Sequence, residues 1–100
     1  MVSLYKDVEH VYDVIDIGRV NRQRLVEAGI KDLEDLENAK ERLGRNEVGN
    51  VKGSVQTELY DVVCWCQEYE EQHGGGPHVM TRFTEEVLSD FQKNRKNSNP

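Results

Sequence analysis

"IDIGRVNRQRLVEAGI", residues 15–30, sets three arginines and two glycines between apolar positions, in a chain of 100 residues with a net charge of −6. Gly18 breaks the pattern, and the segment that follows predicts a helix over about Val20 to Ala28, with Val20, Leu25 and Ala28 facing inward. Glu27-Ala28-Gly29-Ile30 reads as its end. Glycine tolerates the left-handed conformation of a C-terminal cap, and the apolar residue after it folds back onto the last turn. A glycine just ahead of a helix that carries arginines suggests a backbone turn that points main-chain amides at an anion.

The flanking chain is helical nearly throughout. Upstream, Leu4, Val8, Val11 and Ile15 recur at four, three and four residues, which is one helical face, and Ser3 is placed to cap it. Downstream, Asp32 caps a short helix whose buried side is Leu33 and Leu36, and a further turn follows over Ala39 to Leu43. Residues 44–54, "GRNEVGNVKGS", read as turns. Ser54 then caps the longest helix, Val55 to Gln72, with Val55, Leu59, Val62, Val63, Cys66 and Tyr69 inward. A last helix starts after Thr84, with Phe83 and Leu88 at the positions of a hydrophobic staple. No alternating pattern of a strand persists, so the fold class is all-α with about five short helices. The division predicted is a helical domain over 1–73, a Gly/Pro linker over 74–80, a C-terminal helix over 81–93 and a disordered tail over 94–100.

Residues 15–39, "IDIGRVNRQRLVEAGIKDLEDLENA", resemble the helix-hairpin-helix family in its tandem form. Leu25, Glu27, Ala28, Gly29 and Ile30 match the family's helix ending, and residues 32–36 match the capped turn after it. Residues 39–53 are similar to the family's route into a second hairpin, so the resemblance spans about half the chain. The family's hairpin has two glycines around one apolar residue, and Asp16 stands here at the first of them. What the resemblance implies is a pair of sites that hold DNA phosphates without reading bases. Gly18, Arg19, Asn21 and Arg22 would line one, and Asn50, Lys52 and Gly53 the other.

The charge is unevenly spread. Residues 18–31 hold four bases against one acid, a local net of +3, whereas residues 58–72 hold five acids and no base. An acidic chain limits any duplex contact to a local, salt-sensitive one. The arginines at 19, 22 and 24 do not share one helix face: Arg19 and Arg22 are neighbours and Arg24 points elsewhere.

Catalysis has little to build on. Cys64 and Cys66 face about 200° apart on a helix, and no histidine stands at metal-ligand spacing from them. They read as partly buried thiols, and neither a metal nor a cofactor is expected. His73 and His78 flank the glycine break, away from both thiols, and "GGGPH" lacks the lysine and hydroxyl of a phosphate-binding loop. Trp65 reads as a core-edge residue, with a partner anchor as the alternative. The expected role is a small non-catalytic module contacting duplex DNA. The alternative is a protein–protein adaptor or connector, for example in a virion or a larger complex, that uses the acidic helix and self-associates or docks through the C-terminal helix. No run reaches the roughly 20 apolar residues a bilayer span needs and no apolar signal core opens the chain, so a cytoplasmic, membrane-free setting is expected.

Overall fold

A computed structural model describes residues 8–74 and 82–97 of the chain. Ser3, the expected cap of the first helix, and most of the Gly/Pro linker lie outside the described residues. The elements in order are α1 (Val8–Val14), α2 (Arg19–Glu27), α3 (Leu33–Asn38), α4 (Lys40–Gly44), α5 (Gly53–His73) and α6 (Glu85–Asn97). The protein is all-α, with no strand among the described residues. No helix among them is long and apolar enough to cross a membrane.

Three helix ends obey one rule. At each, a residue with positive φ turns the chain, its amide reaches back three residues, and the next amide reaches back five. Asp16 (φ 63°) and Ile17 do this for α1, donating to the carbonyls of Asp13 and Tyr12. Gly29 (φ 94°) and Ile30 do it for α2, donating to Val26 and Leu25. Asn46 (φ 59°) and Glu47 do it for α4, donating to Leu43 and Arg42. These bonds satisfy carbonyls a helix end leaves open, and at the first two ends the apolar residue after the turn is buried against the helix it has just left.

The core lies around α5. Leu59, Val62, Val63 and Cys66 are fully buried on one face of it, joined by Val11 and Tyr12 of α1, Leu25 of α2, Leu36 of α3 and Leu43 of α4. Asp32 caps α3 as expected, its Oδ1 accepting the Asp35 amide at 2.8 Å. Three sequence expectations are corrected. Val20, expected inward, is 61 % exposed, because α2 begins at Arg19 and its first turn leaves the core. α5 begins at Gly53, with Lys52 at the capping position and no side-chain cap, so Ser54 lies inside the helix. α6 continues to Asn97, past the point where a tail was expected.

α6 folds back onto its own domain. Val87, Leu88 and Phe91 are buried, the indole N–H of Trp65 donates to the Val87 carbonyl at 3.3 Å, and the Trp65 and Phe91 rings meet edge to face at 5.9 Å. The Thr84 hydroxyl accepts the Val87 amide, and Phe83 and Leu88 are both fully buried, as a staple requires. Ahead of the helix, Arg82 bonds Glu37 of α3 at 3.0 Å and Glu70 of α5 at 2.7 Å, with all three side chains mostly buried. The apolar side of α6 that made it a free docking element in the sequence is spent on the chain's own core.

Two buried acidic groups set the alkaline limit. Burial, with the Glu37 carboxylate adding to it, pushes the Cys66 thiol from 9.0 up to about 12. Burial, then Glu9, raises the Tyr12 hydroxyl too, against the opposing pull of Arg22. Both groups stay neutral in the folded state at values above their unfolded ones. Their stabilising contribution is complete below about pH 9 and is lost as the pH climbs toward 12. The thermal midpoint followed by circular dichroism is expected to fall across that window. Cys66→Ala is expected to flatten the fall and to cost about 1–2 kcal/mol at neutral pH. The Tyr12 hydroxyl has no hydrogen-bond partner among the described residues. Tyr12→Phe is therefore expected to flatten the alkaline fall without loss of stability at pH 7.

Candidate nucleic-acid interface

The segments 16–25 and 50–59 have the same construction, although only their closing leucines are identical. Each starts on a residue in the left-handed region, Asp16 at φ 63° and Asn50 at φ 68°. Each continues with a buried apolar residue, Ile17 or Val51. An extended capping residue follows, Gly18 or Lys52, and then a helix N-terminus. The residue four beyond the cap reaches back to the carbonyl of that apolar residue. Arg22 Nε donates to Ile17 O at 2.7 Å, and Gln56 Nε2 donates to Val51 O at 2.8 Å. Three residues later Leu25 and Leu59 enter the core, both fully buried.

The left-handed residues are therefore Asp16 and Asn50, whereas the sequence pointed to Gly18 and the glycines of residues 44–54. Gly18 has φ −71°, open to any residue, and Gly49 is not among the positions of positive φ. Asp and Asn are the side chains that visit this region at least cost, because their short polar groups bond locally. What Gly18 supplies is room: a Cβ built there meets nothing within 4 Å, so the backbone at the start of α2 is open to approach.

The two turns are tied side by side. The Lys52 amide donates to Asn21 Oδ1 at 3.1 Å, and Arg24 Nη1 donates to the Asn50 carbonyl at 3.0 Å. Gly18, Asn21, Asn50, Lys52 and Gly53 thus lie where the first turns of α2 and α5 stand side by side, whereas Arg19 lines a hollow on the α1 side of α2 with Glu9, Arg22, Gln23 and Val26. The first amides of a helix have no partner within it, and each N-terminus carries a partial positive charge. Arg19 and Lys52 are exposed beside them, as is the carboxylate of Asp16.

Arg22 leaves this group. Its Nη1 and Nη2 pair with Glu9 at 2.8 Å and Asp13 at 2.9 Å, and its guanidinium lies 6.0 Å from the centre of the Tyr12 ring. Its protonated form is favoured further, first by the Asp13 hydrogen bond. The side chain fastens the first turn to α1 and contributes no cation to the shared surface.

Gln56 was not singled out by the sequence, where an amide beside the inward stripe looks like surface. It is buried, its Nε2 donates to the carbonyls of Val48 and Val51, and its Oε1 accepts the Val48 amide at 3.1 Å. One side chain serves three main-chain groups of an irregular loop, which is how a buried turn avoids orphaned polar atoms. The described residues contain no group of three or more His, Cys, Asp or Glu side chains placed to hold a metal.

No protein-family model, no curated protein and no solved structure matches the chain.

Gln56→Leu keeps the volume and orphans all three main-chain groups. It is expected to cost about 2–4 kcal/mol in urea unfolding, more than a Leu replacement at the exposed neighbour Thr57. An unchanged midpoint would show that the loop has another source of support.

Proposed function

We propose that the chain is a small non-catalytic module of helix-hairpin-helix type that contacts the phosphate backbone of duplex DNA without reading its sequence. The observation that carries this reading is the pair of like-built turns, tied through Asn21 and the Lys52 amide, which sets two helix N-termini side by side with an exposed cation at the start of each. Backbone amides at helix N-termini bind phosphate oxygens, and Lys and Arg beside them add charge-assisted bonds. Nothing in such a contact distinguishes one base pair from another. A DNA partner implies an intracellular setting.

The net charge of −6 limits the contact to this face. Arg19 and Lys52 are its phosphate-facing cations, Gly18 and Gly53 its amide-bearing backbone, Asn21, Asn50 and Arg24 hold the two halves together, and Arg22 fastens the first to α1. With two or three phosphates neutralised, the logarithm of affinity should fall with the logarithm of salt at a slope of about −2 to −3. Asp16 works against binding, since its carboxylate stands where an anion would approach.

Fluorescence anisotropy with labelled duplexes of unrelated sequence tests the reading. Binding at low salt, equal for the different sequences and lost steeply with added salt, is expected. Arg19→Glu with Lys52→Glu should abolish it while the helical circular dichroism is kept. Asp16→Asn, which keeps a residue suited to the left-handed region, should tighten binding several-fold. Failure of the native chain to bind any duplex at low salt would refute the assignment.

A further inference from the structure

The flank of α5 that faces α6 has a different chemistry. Asp61, Trp65 and Glu68 follow one another at four and three residues, so they form one stripe along the helix, with the two acidic positions about 10 Å apart along its axis to either side of the tryptophan. Phe91 and Asn94 of α6 make the opposite wall of a groove of about 600 Å³ in which this stripe and Glu58 lie. Asp61 and Glu68 are exposed and Trp65 is half-buried. The indole is held in place: its N–H is occupied by the Val87 carbonyl and its ring packs on Phe91. A fixed aromatic ring bracketed by two carboxylates is a setting for a guanidinium or ammonium group, which gains from the ring and from both charges.

We propose that this groove docks an arginine- or lysine-bearing segment of a partner protein, with one basic side chain seated at Trp65 between Asp61 and Glu68. Charge complementarity selects the occupant. Glu58, Asp61 and Glu68 line the groove and no base stands among its described lining residues, so this flank of α5 attracts a basic segment. The surface at Arg19 and Lys52 repels the same segment. A rigid indole at the centre of a groove is also the kind of residue that dominates an interface. The proposal is independent of the phosphate contact, since it uses neither turn.

Trp65 is the only tryptophan, so its emission reports on the groove directly. Titrating the full chain with a hexa-arginine peptide at low salt is expected to change that emission saturably. Asp61→Asn with Glu68→Gln should weaken binding at least about fivefold without altering the melting curve. Glu34→Gln with Glu47→Gln, two exposed acids outside the groove, should leave it unchanged. Should the double groove variant fold poorly, Glu68→Lys alone serves, with a loss of the same order expected. Three results would each overturn the proposal: an emission that does not respond, equal weakening by the two double variants, or an equal response to spermine at matched charge, which would mark a general attraction of polycations with no peptide docking.

Discussion

Two non-glycine residues held at positive φ, Asp16 and Asn50, set the direction of the helices on which everything else depends. A left-handed residue costs an L-amino acid about 1 kcal/mol or more, least for Asp and Asn. That cost is met because the following residue is driven into the core and its carbonyl is caught by a side chain one helical turn on. Ile17 is caught by Arg22, and Val51 by Gln56. Burial, turn and reach-back bond support one another. The pair of helix N-termini is a result of this support and does not depend on glycine at the bend.

The bases in this part of the chain divide their work. Arg22 is drawn to the two carboxylates of α1, and Arg24 is drawn across to the carbonyl of Asn50. Both hold structure. Arg19 and Lys52 are left at the surface, so the field there is set by two cations, two helix dipoles and the opposing charge of Asp16. A local charge of +3 in the sequence overstates what an anion would meet.

α6 makes a small core sufficient. Without it, Trp65 and the upper part of α5 would lie open. With it, Phe83, Leu88 and Phe91 join the buried cluster, and the Arg82 bonds to Glu37 and Glu70 fasten the chain ahead of the helix to α3 and α5. A domain of this size gains proportionately more from each added apolar side chain than a large one, since so much of its surface remains exposed.

The helical class, the cap at Asp32, the left-handed stop at Gly29 and the inward stripe of α5 were all legible in the chain, because each depends on residues within one or two turns of one another. Hydrophobic spacing and capping chemistry are local. The Asp16 and Asn50 bends were not legible, since the local cue is glycine and both bends are made by its nearest substitutes. The likeness of residues 16–25 to 50–59 was hidden for the same reason: arginine and glutamine perform one task with different chemistry. Tertiary packing alone decided that Arg22 turns inward, that Gln56 is buried, that the two turns touch and that α6 closes on its own domain. Each of those outcomes depends on groups tens of residues apart meeting in space, where burial and the need to pair polar atoms choose among partners that sequence order does not rank.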